Sequence, residues 1–115
     1  MKVFISQQMK DRSAEDIKKE REEIMERLRP ELPKICHMNP KEEIELMDTF
    51  FEDYNPKGKN APLKHLAKSI EMLADADVAF FATGWEKARG CKIENACAIE
   101  YGITVIEDYK RGAQP

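Results

Sequence analysis

The 115-residue sequence contains no apolar run near the roughly twenty residues that a membrane-spanning helix needs. Its opening stretch, Met1-Lys2-Val3-Phe4-Ile5-Ser6, has an apolar run of only three residues, too short for the core of a secretory signal. It lacks a C-x-x-C pair. The three cysteines, Cys36, Cys91 and Cys97, are odd in number and the last two lie six apart. That spacing speaks against the usual zinc frameworks and predicts reduced thiols in a cytoplasmic protein without a metal site. Excess positive charge is also missing. The net charge is −3 and the pI about 5.5, which argues against a broad nucleic-acid surface but leaves room for a local cationic pocket. With five glycines the chain has neither G-x-G-x-x-G nor a P-loop, and no cofactor is expected.

What is present is enough for one core. Hydrophobic residues make up 42% of the chain, more than a disordered segment carries, and the length suits a single domain. That domain is expected over residues 1–107, with 108–115 as a patternless tail. No repeat or low-complexity segment interrupts it.

Hydrophobic spacing supplies the elements. Lys2-Val3-Phe4-Ile5-Ser6 reads as a short buried strand. Ser13 can cap a helix from about Ala14 to Leu28, with Asp16 three residues on. Ile17, Ile24, Met25 and Leu28 form its apolar stripe, and Pro30 and Pro33 are expected to end it. Lys18 to Glu23, Arg21 included, and Glu26 read as the solvated remainder, or as a surface for a partner protein. Asn39-Pro40 suggests a turn, Ile44 to Asp48 a weaker strand, and Phe50 to Tyr54 an aromatic-acidic loop. A second helix starts near Pro62, with Leu63, Leu66, Ala67, Ile70 and Leu73 on one face. Asp77 to Ala82 is the clearest strand, nearly all apolar as befits the centre of a parallel sheet. A third helix is expected from about Cys91 to Tyr101, stopped by Gly102, before a last strand at Ile103–Ile106.

This alternation predicts an α/β fold: a flavodoxin-like three-layer sandwich, with about four parallel strands in the order 2-1-3-4 and helices on both faces. Ligands in such sheets sit at the carboxyl ends of the strands, near the switch point between strands 1 and 3. Two loops then carry the candidate site. In the first, Ser6 and Gln7 can hydrogen-bond a ligand and Arg12 can reach an anion, or the three serve a polar turn. In the second, the start of helix 3 offers free N–H groups at Cys91, Gly90 and Gly84 allow close approach, Arg89 supplies a planar cation and Trp85 a flat face for a base or sugar. Alternatively Gly90 serves the turn, Arg89 the surface and Trp85 the core. Asp48 can accept from a sugar hydroxyl or cap a turn. Together they suggest a small-molecule nucleoside or nucleotide partner. Glu94, one turn into helix 3, is expected to stay ionised in the helix dipole and could act as a nucleophile on a sugar carbon, unless it is an ordinary exposed glutamate. Asn95 and Glu100 need only be solvated. His65 reads as a surface histidine, and His37 carries no readable role.

Phe4-Ile5-Ser6-Gln7, the block Asp48 to Asp53 and the string Gly84-Trp85-Glu86-Lys87-Ala88-Arg89-Gly90-Cys91-Lys92-Ile93-Glu94 resemble a family of small phage and bacterial proteins of unknown function. That family looks related to the nucleoside 2-deoxyribosyltransferases. The resemblance implies that Glu94 attacks the anomeric carbon of a deoxynucleoside, or of its 5′-monophosphate, with Arg89, Ser6 and the helix 3 amides on the phosphate. It also implies a homo-oligomer, which a sheet this small favours in any case because it leaves edges to cover. The chain departs from the transferases at three positions, with Ala88 and Ser69 where they carry aspartates and Phe4 where they carry tyrosine. Asp48, Asp53 or Glu86 would have to stand in as the acid. The alternative function is a module of the same fold that senses or sequesters a nucleotide-like ligand without turning it over.

Overall fold

In a computed structural model, residues 1–36, 39, 41–49 and 56–108 are described. His37, Pro40, the Phe50–Tyr54 loop with Asp53, and the tail from 109 onward lie outside them. Four parallel strands form one sheet in the order β2-β1-β3-β4, as the alternation of elements predicts. They are β1 (Lys2–Ser6), β2 (Glu45–Leu46), β3 (Val78–Phe81) and β4 (Thr104–Glu107), with helices α1 (Ala14–Ile35), α2 (Ala61–Leu73) and α3 (Arg89–Glu100) between them. β1 pairs with β3 over Val3↔Val78 to Ser6↔Phe81, and β3 with β4 over Val78↔Thr104 to Phe81↔Glu107. β2 has only two paired residues, Glu45 and Leu46, fewer than the five-residue stretch expected; Met47 N–H still reaches the Val3 carbonyl at 2.9 Å.

Strand alternation divides the core into two clusters. Val3, Ile5, Val78, Phe80 and Ala82 point to one face, where Ile24, Met25, Leu28 and Leu32 of α1 cover them. Phe4, Ala79 and Phe81 point to the other, against Met47, Leu73 of α2 and Ala98 of α3.

The largest departure from expectation is the length of α1, which passes through Pro30 and Pro33 instead of stopping at Leu28. Proline lacks the N–H that would bond four residues back, leaving the carbonyls of Glu26 and Arg29 without helical donors. Both residues are exposed, so water can serve those carbonyls. Leu32, four residues past Leu28 and fully buried, holds the extra turn against the sheet. The caps behave as expected. Ser13 Oγ accepts from Asp16 N–H at 3.1 Å, and Asn60 Oδ1 accepts from Leu63 N–H at 3.1 Å just ahead of Pro62. At the end of α3, Gly102 adopts φ +74°; Ile103 N–H bonds the Ala98 carbonyl at 2.9 Å and Gly102 N–H the Ile99 carbonyl at 3.3 Å. That double closure is a Schellman motif, which needs the left-handed residue that glycine supplies most easily. α3 itself starts at Arg89, two residues ahead of the expected Cys91. No helix among the described residues is long and apolar enough to cross a membrane.

Candidate functional site

A cleft of about 1130 Å³ opens at the carboxyl end of β1, between the first turns of α2 and α3. Its floor is Phe4 to Gln8 and Thr49; one wall is Pro62 to Ser69, the other Lys87 to Glu94. This is where a 2-1-3-4 sheet separates the loops that follow β1 and β3. The predicted residues Ser6, Gln7, Arg89, Gly90, Cys91 and Glu94 all line it.

Glu94 is the buried carboxylate of this cleft. It is 7% exposed, and Ser6 Oγ, also buried, donates to its Oε1 at 2.8 Å. Burial pushes its pKa up to about 7, against the opposing pull of the Ser6 hydrogen bond and the Arg21 charge. This reverses the expectation of a fully ionised carboxylate: the helix start favours charge, but loss of water outweighs it. Cys91 is likewise buried and its thiol is pushed up to about 11, first by burial, with Ser6 pulling down and Glu94 adding to the rise. It remains a neutral thiol and a small wall residue.

The first loop is largely committed to holding itself together. The Gln7 amide donates to Glu20 Oε1 at 2.6 Å and to the Ile17 carbonyl at 3.4 Å, and its oxygen accepts from Arg21 Nε. Because arginine only donates, the amide is oriented and both its protons are engaged. Arg12 bonds the Gln8 carbonyl and Glu20 Oε1, each at 2.9 Å, and is not part of the cleft wall. Gly84 adopts φ +90°, and its carbonyl accepts from the Gln8 amide. Trp85 packs on Phe81, ring centroids 5.6 Å apart, and belongs to the second core cluster. Gly84, Trp85 and Asp48 are outside the cleft lining as well; Asp48 is exposed beyond β2.

Arg21 is the residue that charge patterning hid. It counts as one more charge on α1, yet it is 4% exposed and donates from its outer nitrogen to Thr49 Oγ1 at 2.5 Å. Its position four after Ile17 and seven before Leu28 puts it inside the apolar stripe, and that is the signal that could have found it. Burial lowers its pKa, while Asp48, Glu94 and Glu20 raise it. Two further placements correct the sequence reading. His65 is half-buried in the cleft wall, and Asn95, instead of being solvated, is buried and donates to Glu107 Oε2 at 2.8 Å.

Phe4, Ser69 and Ala88 all line the same cleft as Glu94. Three residues far apart in the chain are therefore brought together in space. Asp11 and Glu94 are the only carboxylates among the described lining residues, while Lys10, Lys87 and Arg89 bring positive charge. Among the described residues no cluster of His, Cys, Asp and Glu could hold a metal ion. No family model, curated protein or solved structure matches the chain.

Proposed function

We propose that this cleft performs N-glycosidic bond chemistry on a deoxynucleoside or its 5′-monophosphate, with Glu94 as nucleophile. The observation that carries the proposal is a buried glutamate, held by Ser6, in the wall of a cleft with cations around it. In the carboxylate form, Oε2 of Glu94 is the oxygen not engaged by Ser6. Its attack on the anomeric carbon breaks the bond to the base, which leaves with the electron pair and takes up a proton. The resulting glycosyl ester is resolved by water or by a second base. With its pKa pushed up to about 7, Glu94 can take either the attacking carboxylate or the acid form near neutral pH. A 5′-phosphate fits the rim, where Arg89 and the first N–H groups of α3 have no side-chain cap to compete with. The proposed setting is cytoplasmic, in keeping with free thiols at Cys36, Cys91 and Cys97. The proposed assembly is a homo-oligomer, supported by the exposed Leu63, Ile99 and Tyr101.

The test is incubation with a panel of deoxynucleosides and their monophosphates, with free base as readout. Release by the wild type and its loss in Glu94→Ala support the proposal; no release from either sinks it.

A second function is favoured by one observation. Ala88 and Ser69 leave no carboxylate at the two cleft positions where transferases carry aspartates, so departure of the base lacks that help. A module that binds a nucleotide-like ligand without turnover would then be stabilised by it. The expected result is a raised Tm with the ligand recovered intact; no shift with any nucleotide rejects it.

A further inference from the structure

The sheet end separates two charged side chains that no short sequence motif links. Glu94 approaches from the α3 face and Arg21 from the α1 face, and the residues between them are consecutive. Ser6 turns its hydroxyl to Glu94, while Gln7 turns its amide to Arg21. Because successive residues in extended backbone point to opposite faces, the end of β1 and the first residue after it meet both groups at once. Arg21 is too deeply buried to be a surface charge, and its fork is fixed at two points, Gln7 on the loop after β1 and Thr49 after β2.

We propose that Arg21 is a positioning residue: from behind the cleft it clamps Gln7 and Thr49 and supplies the counter-charge that holds the Glu94 carboxylate at the end of β1. It does not line the cleft itself. The clamp explains why a guanidinium is required. A planar fork donates from two separate nitrogens, in fixed directions, to an amide oxygen and a hydroxyl. It also explains the arrangement of Gln7, whose two protons are drawn to Glu20 and Ile17 once its oxygen faces Arg21. Leaving Arg21 without its partners, or Glu94 without Arg21, would strand a charge out of water.

The described charged or titratable groups around Glu94 come from each element packed against it, with Lys10 and Asp11 on the loop after β1. Ser6 is on β1, the neutral Cys91 on its own helix and His65 on the α2 wall. Arg89 and Lys87 lie at the rim, and Arg21 and Glu20 are on α1. Asp48 and Glu20 act on Arg21 and share its charge. Of the cations among these, Arg21 is the buried one, and its charge opposes the rise in the Glu94 pKa.

The inference rests on Glu94 being the working group, yet its test needs no substrate, so a failed base-release assay leaves the result below standing. The full chain is labelled with ¹³C at glutamate Cδ, and Glu94 is assigned by the resonance lost in Glu94→Gln. The carboxyl is titrated by NMR in wild type, Arg21→Met and Arg21→Lys. The expected wild-type midpoint is about 7. Loss of an opposite charge in Arg21→Met moves it up by about one unit or more. Arg21→Lys, which keeps charge but not the fork, gives a smaller rise together with faster exchange of the Gln7 side-chain amide. An unmoved midpoint in a folded Arg21→Met overturns the counter-charge role. If Arg21→Met does not fold, the lysine variant decides: a raised midpoint supports the positioning role and an unchanged one overturns it.

Discussion

The two faces of the sheet are covered in opposite ways. On one, α1 lays down Ile24, Met25, Leu28 and Leu32, all buried, and its helix continues through two prolines to keep Leu32 in place. On the other, α2 presents an equally regular apolar face but buries only Leu73, leaving Leu63 56% exposed at the cleft. Similar periodicity thus yields a closed face and an open one. The closed face buries the apolar stripe of α1 against the sheet, which stabilises it. The open face keeps α2 and α3 apart at their first turns, and that gap is the cleft. Arg21 and Gln7 are where the two meet, since the closed face lends its one buried cation to the open one.

The contrast can be broken most directly at Leu32. Leu32→Ala removes a fully buried side chain from beyond both prolines and should cost about 2–5 kcal/mol, read as a lower urea midpoint. A loss below about 1 kcal/mol would mean that the last turn of α1 is not held by packing.

Glu94→Gln tests the opposite sign on the open face. The folded-state pKa of about 7 lies above the ordinary 4.5, so folding favours the protonated form. The wild type therefore loses stability as pH rises from about 4.5 to about 7, by on the order of 2–3 kcal/mol. A neutral glutamine avoids that loss. Its Tm should exceed the wild type at pH 8, and the gap should close below about pH 4.5. A gap that does not change with pH would show that Glu94 is not held in a desolvated site.

Gly84→Ala sharpens the comparison at the hinge between β3 and the cleft. An alanine there is strained at φ +90° and its Cβ would lie 2.8 Å from Gln8 Nε2. The expected cost is about 1–2 kcal/mol, with a loosened Gln8 visible as faster amide exchange. Leu63→Ala is the smallest, within about 0.5 kcal/mol for a lone chain. A larger loss that grows with protein concentration would place a second copy over the open face.

Much of the architecture was legible because it depends on local pattern. β1, the buried β3 and the caps at Ser13 and Gly102 follow from short apolar runs and from residues whose side chains or φ angles suit a terminus. The end of α1 was not legible. Proline stops a helix by local rule, but the packing of Leu32, which lies beyond both prolines, opposed that rule and won. β2 was only half legible, since two paired residues leave little periodicity to read. In the site, the position of Glu94 one turn into α3 was readable, but its charge state was not. Helix position and burial push in opposite directions, and burial depends on residues far away in the chain. Gly84 and Trp85 stood beside Arg89 in sequence and were grouped with it, yet Trp85 turned to Phe81.

The amino-acid sequence alone determined the α/β class, the strand order and the pair of loops from which a site could be built, because alternation, hydrophobic spacing and crossover handedness leave few arrangements. Only the tertiary structure decided that Arg21 is buried against Gln7 and Thr49, that Phe4, Ser69 and Ala88 share one cleft with Glu94, and that burial pushes the Glu94 pKa up. The physical reason is the same in each case. A side chain's charge, partners and access to water are set by whatever packs against it, and the groups that meet at the end of β1 come from residues as far apart as 6 and 94.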